Sequence, residues 1–122
     1  MVFERMKPDG TFVAWGKDKA KENSLVIDAG GVLEGKIENI KLSDTYGYIF
    51  EIKTTKPKCD KPVIVPGTTI LLRAMGYTKD EEDKWIATDD HVIIGDKVQI
   101  TFLGMLKTKF GDAYNFEVLV DR

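Results

Sequence analysis

Two runs decide the fold: Val32-Leu33-Glu34-Gly35-Lys36-Ile37-Glu38-Asn39-Ile40-Lys41-Leu42 and, after the turn Ser43-Asp44-Thr45-Tyr46-Gly47, Tyr48-Ile49-Phe50-Glu51-Ile52-Lys53. In the first, Leu33, Gly35 and Ile37 alternate with Glu34, Lys36 and Glu38; in the second, Tyr48, Phe50 and Ile52 share one phase. A period of two is the pleat of a strand with one buried face, so the pair predicts a long hairpin. Gly35, inside the first run, predicts a bulge or sharp bend.

A second hairpin is predicted at the end of the chain. Val98, Ile100 and Phe102 alternate along one strand, Gly104 marks a bend, Lys109-Phe110-Gly111-Asp112 turns, and Tyr114, Phe116, Val118 and Val120 return inward. Between the hairpins, Pro62-Val63-Ile64-Val65 reads as a short strand closed by Pro66-Gly67. Thr69 to Ala74 could form another strand, but Ile70, Leu71, Ala74 and Met75 share a helical face, with Thr68 at the capping position and Gly76 where a helix stops, and a short helix is the favoured reading. Residues 77–88 form a polar, acidic insertion whose one large apolar residue is Trp85. The order strand, strand, strand, short helix, strand, strand is that of an OB-fold, a small five-stranded Greek-key barrel that leaves one sheet face and its flanking loops for ligands. The expected class is therefore all-β with one short helix, a single domain at 32–122 preceded by an arm at 1–31 that packs on it. The arm is the least regular part, with turns at Pro8-Asp9-Gly10 and Asp28-Ala29-Gly30-Gly31.

Composition removes whole classes of function. At 122 residues, with 43% hydrophobic and 31% charged residues and a net charge of −2, the chain is too apolar for disorder and has the size of one domain. No apolar run approaches the ~20 residues of a membrane-spanning helix, and Met1-Val2-Phe3-Glu4-Arg5 lacks the apolar middle of a signal peptide. A cytoplasmic protein without membrane partners is expected. Cys59 is the one cysteine, so no internal disulfide forms, and with His91 it offers no paired spacing for zinc. The acids Asp80 to Asp83 lack the glycine and terminal glutamate of a calcium loop, and Gly30-Gly31 lacks the lysine and hydroxyl of a phosphate loop. Ser24 or Ser43 with His91 lacks a nucleophile elbow. Neither enzyme chemistry nor a cofactor or metal is expected.

What remains is binding. An OB barrel holds single strands where aromatic rings stack on bases and cations follow phosphates. Lys36 and Lys53 fall on outward strand phases, Lys41 and Tyr46 lie at or beside the first turn, and Lys107, Lys109 and Phe110 cluster in the last hairpin. With Trp85 they are the candidate ligand contacts. The ordinary reading competes at each: outward lysines keep strands soluble, and rings in small barrels are usually core, as Tyr48, Phe50, Phe102, Tyr114 and Phe116 are by phase. Tyr46 and Phe110 escape that objection by lying in turns. Acids concentrate at 80–83 and 89–90, so a basic groove can coexist with the negative total and give modest, salt-sensitive affinity.

The stretches Lys61-Pro62-Val63-Ile64-Val65-Pro66-Gly67-Thr68-Thr69-Ile70-Leu71, Ile94-Gly95-Asp96-Lys97-Val98-Gln99-Ile100-Thr101-Phe102-Leu103-Gly104 and Gly111-Asp112-Ala113-Tyr114-Asn115-Phe116-Glu117-Val118 carry a resemblance across Val32 to Val120. They resemble small OB-fold proteins of phages and other mobile elements, which are taken to bind single-stranded DNA. The resemblance implies binding of single-stranded DNA, or RNA, in support of replication or recombination; the 77–88 insertion departs from its compact pattern. A second expectation comes from another class: Leu103, Met105 and Leu119 on outward positions suit an OB-type interaction or assembly module, or a homo-oligomer, without nucleic acid.

Overall fold

The computed structural model of the chain describes residues 11–16, 24–43, 47–59, 61–109 and 111–121. Tyr46 and Phe110 lie outside the described residues. In chain order the elements are β1 (Thr11–Trp15), β2 (Ser24–Ile27), β3 (Val32–Ser43), β4 (Gly47–Lys56), β5 (Val63–Pro66), α1 (Thr69–Ala74), β6 (Tyr77–Lys79), β7 (Trp85–Ala87), β8 (Lys97–Thr108) and β9 (Gly111–Asp121). Seven strands form one curled sheet in the order β2-β1-β5-β4-β3-β8-β9, and β6 and β7 form a separate two-stranded ribbon.

The alternation in the first hairpin becomes the centre of that sheet. Ile37 pairs with Ile52 and Ile40 with Phe50, and Leu33, Ile37, Phe50 and Ile52 are fully buried. Each such side chain removes enough apolar surface from water to contribute about 1.5–3 kcal/mol. Strand β3 serves two neighbours, pairing with β4 from Glu34 to Ser43 and with β8 from Val32 to Lys36. It bends to do so. Register shifts fall between Glu34 and Gly35, where the extra residue is Thr55 of β4, and between Ile37 and Asn39, where it is Glu38 of β3; such extra residues bend a strand and sharpen its twist. At Gly35 a Cβ would collide with the Lys53 carbonyl oxygen and Thr54 Cα across the ladder, so the close approach of the two backbones requires glycine.

The final hairpin forms as its phase predicts, with Phe102 opposite Phe116, both buried, and a further register shift between Phe102 and Gly104. Gly104 has φ +96°, a left-handed value glycine adopts freely. Helix α1 buries Leu71 and Leu72 and packs against β9. Thr68 occupies its N-cap position but makes no side-chain capping bond, while Gly76, at φ +95°, donates its N–H to the Arg73 carbonyl and ends the helix as expected.

The N-terminal segment departs from its irregular reading. It contributes two strands: β1 lies parallel to both β2 and β5, with Thr11 opposite Val63. Trp15 on β1 meets Phe116 edge-on at 4.8 Å and Phe102 at 5.6 Å, so the sheet curls far enough to bring β1 against the β8–β9 pair. The five strands read from the sequence are thus β3, β4, β5, β8 and β9, and four others accompany them. Among the described residues no ladder joins β9 to β5; β1 occupies that edge of β5. Parallel pairing between segments so distant leaves no local sequence mark, which is why the arm read as irregular. The insertion was expected only as polar chain, yet Tyr77 pairs with Ala87 and Lys79 with Trp85.

Trp15→Ala is expected to lower the unfolding free energy by about 3–5 kcal/mol, the usual cost of emptying an aromatic core site. Gly35→Ala is expected to cost about 1–3 kcal/mol through overpacking of the β3–β4 crossing. Urea midpoints at constant slope check both.

Candidate functional site

The register brings three lysines together on adjacent strands. Lys36 on β3 lies opposite Lys53 on β4 and opposite Lys97 on β8. Because the flanking pairs Ile37–Ile52 and Gly35–Val98 face the core, the lysine row lies on the outer face of the sheet. Lys36 and Lys97 are exposed; the half-buried Lys53 donates from Nζ to the Cys59 carbonyl at 3.3 Å. Like charges directly opposite each other destabilise a ladder, so the row costs the fold something unless an anion offsets it. Its acidic neighbours include Asp121 opposite Lys97, Glu34 opposite Lys56, Glu51 two residues from Lys53 on the same face, and the exposed Glu38.

Lys41 lies further along the same face, because the shift at Glu38 restores it to the phase of Lys36. Its Nζ is 3.2 Å from Glu51 Oε1, an exposed pair worth well under 1 kcal/mol. Lys36, Lys41 and Lys53 therefore share one face. Lys107 and Lys109 do not join them: β8 runs antiparallel to β3 and passes beyond Val32, whereas the β3–β4 turn lies at the Ser43 end. Lys107 sits opposite Asp112 near the tip of the β8–β9 ribbon and is exposed, as is Lys109. Sequence reading missed Lys97. Its outward phase is legible, but its place beside Lys36 depends on a β3–β8 register that nothing local encodes.

Trp85 is fixed rather than loosely displayed. It is partly buried against the core edge, its ring lies where a Cβ on Gly47 would be, and the Arg73 guanidinium and Lys79 ammonium lie 5.7 and 5.2 Å from its centroid. Cations at that range are attracted to the ring and compete with a base for its faces. Asp80 holds the turn beyond it, its Oδ1 accepting from the N–H groups of Glu82 and Lys84 at 2.9 Å each. The β6–β7 ribbon thereby lies against the start of β4 at Gly47.

Beside that ribbon is an open, mostly apolar cleft of about 470 Å³, lined among others by Ile40, Tyr48, Tyr77, His91, Ile93 and Ile94. Tyr77 is buried, 4.5 Å from the Tyr48 ring and 5.9 Å from the His91 ring. His91 Nδ1 lies 2.7 Å from the Thr88 carbonyl, and the Val92 N–H donates to the Met75 carbonyl, tying this loop to the end of α1. Burial, and then the neighbouring Tyr48, push the Tyr77 phenol up to about 12. Among the described residues no three His, Cys, Asp or Glu side chains converge on a common metal position, and no helix is long and apolar enough to cross a membrane.

The raised Tyr77 value has a signed consequence for stability. Unfolded, the phenol ionises near pH 10; folded, it keeps its proton to about 12. Its contribution is therefore complete below pH 10 and is lost as pH rises between those values, where the unfolded chain has released a proton that the native one retains. Unfolding free energies across that window should fall more steeply for the native sequence than for Tyr77→Phe, and the phenolate absorbance lost in the variant should be the component titrating near pH 12.

No protein-family model matches the chain, and no curated protein or solved structure matches it.

Proposed function

We propose that the protein binds single-stranded DNA, without catalysis, along the outer face of β3, β4 and β8, in the manner of an OB-fold. The observation that carries this reading is the in-register row Lys53, Lys36, Lys97, a concentration of positive charge on three adjacent strands of a chain whose total charge is negative. The fold reading is supported by the order β5-β4-β3-β8-β9 within the sheet and by a helix between its third and fourth strands, the OB arrangement with β1 at the edge where barrel closure would occur.

The two loops of the binding face lie toward opposite ends of β3, which at roughly 3.3 Å per residue is at most about 40 Å long. Lys107, opposite Asp112, falls on the phase of Tyr114 and Phe116 and so on the other face of the β8–β9 ribbon. A ligand reaching from Lys41 past the lysine row and round the ribbon to Lys107 and Lys109 must then be a polymer. Single-stranded DNA meets that demand, with phosphates on the lysines and bases on Tyr46, Phe110 and the border formed by Trp85. Sequence tolerance follows, since every base has a face to stack. Salt sensitivity follows as well, because each neutralised phosphate releases counterions.

Oligo-dT titrated at low salt should bind with a change in tryptophan emission. Lys36→Ala combined with Lys97→Ala should weaken binding and reduce the magnitude of the log-affinity against log-salt slope by about 0.7 per lysine. Alanine at Tyr46 or Phe110 should each cost about 1–3 kcal/mol of binding. Absence of binding by the native chain at micromolar protein, or an unchanged salt slope in the double variant, would remove the basis of the proposal.

A further inference from the structure

Two apolar surfaces of opposite electrostatic character lie at opposite ends of β3. The first is the cleft at the Ile40–Tyr48 end, whose outer lip is Ile93 and Ile94, 54% and 59% exposed. Asp89 and Asp90, both exposed, precede that lip directly. The second is the β8–β9 ribbon beyond Val32, where β8 has left β3 and is paired with β9 alone. Within four residues it exposes Leu103, Met105 and Leu106, at 48%, 52% and 44%, and these run into Lys107 and Lys109, with Asp112 across from Lys107. Leu119 is exposed too, but lies back along β9 opposite Gln99, away from this cluster.

Each surface leaves large aliphatic side chains in water, a cost that burial against apolar surface would recover. One is a concavity open enough for a large side chain; the other is a projection that carries Met105 on the face of Lys107 and Leu106 on the opposite face. One is flanked by acids and the other by lysines. The ribbon projects beyond the Val32 end of β3 and the cleft lies at the opposite end, so a chain does not fill its own cleft.

We propose that the β8–β9 ribbon of one copy docks in the Ile93–Ile94 cleft of a second copy through the face that carries Met105, Lys107 and Lys109, with Leu106 on the reverse of the same ribbon and with Lys107 and Lys109 facing Asp89 and Asp90. The contact joins two different surfaces, so it is heterologous: each copy added presents a fresh cleft at one end and a fresh ribbon at the other, and chains of copies grow with concentration. The association needs no nucleic acid.

Sedimentation of the full chain without DNA tests this with two variants. Ile93→Lys with Ile94→Lys destroys the cleft lip and places cations opposite Lys107 and Lys109; Met105→Asp with Leu106→Asp destroys the ribbon and places acids opposite Asp89 and Asp90. All four positions are exposed, and circular dichroism and thermal melting check that each variant folds like the native chain. The native protein should show a weight-average mass that rises with concentration beyond that of two chains, and each folded variant alone should stay at the mass of one. Mixed in equal amounts, the variants should form a species of two chains and no larger one, since one supplies the intact ribbon and the other the intact cleft. A native chain that stays monomeric at every concentration overturns the proposal. So does loss of association in only one variant, the mark of a symmetric contact, and so does a mixture of two folded variants in which no two-chain species appears.

Discussion

The near-contact of two backbones at Gly35 holds the architecture together. There β3 crosses β4 so closely that a single methyl group would strike the Lys53 carbonyl oxygen and Thr54 Cα. The close approach it permits, beside the extra residue Thr55 of β4, lies where one strand is shared between two ladders, and everything else follows from that sharing. There β8 pairs with Val32 to Lys36 while β4 pairs from Glu34 to Ser43, and the sheet curls until Trp15 reaches Phe102 and Phe116. The lysine row is a by-product of the same crossing, because Lys36 stands one residue from Gly35 and inherits a neighbour on each side.

Local chemistry made much of this readable in advance. The two-residue period of Leu33 to Ile37 and of Val98 to Phe102 identifies buried faces without reference to partners, and Gly35 and Gly104 mark the strand irregularities that the register contains. The helical spacing of Ile70, Leu71, Ala74 and Met75, stopped by Gly76, identifies α1 for the same reason. Tyr48, Phe50, Phe102, Tyr114 and Phe116 all lie in or against the core, as their phase requires.

Partners distant in sequence were not readable. Thr11 to Trp15 has too few alternations to announce a strand, and of its two ladders, to β2 and to β5, the second joins it to the rest of the sheet from far along the chain. Trp85, alone among charged residues, resembles an exposed platform in sequence; its position against Gly47 depends on a β6–β7 pairing whose members are three residues each, too short for a periodic signal. The candidate contact face shows the same division. Outward phase places Lys36 and Lys53 correctly, while the neighbourly position of Lys97 comes from register alone, and register is set by the whole sheet.

The parallel pairing of β1 has a consequence for how the protein is made. Thr11 and Phe12 leave the ribosome long before Val63 and Ile64, the residues they must pair with, have been synthesised. During that interval the nascent segment carries Phe12, Val13 and Trp15 with no sheet to receive them, and loop closure across so much chain is slow compared with folding of the adjacent β3–β4 hairpin. A segment translated before its partner strand is therefore placed after it, and the hairpin built around Gly35 is the template on which it waits.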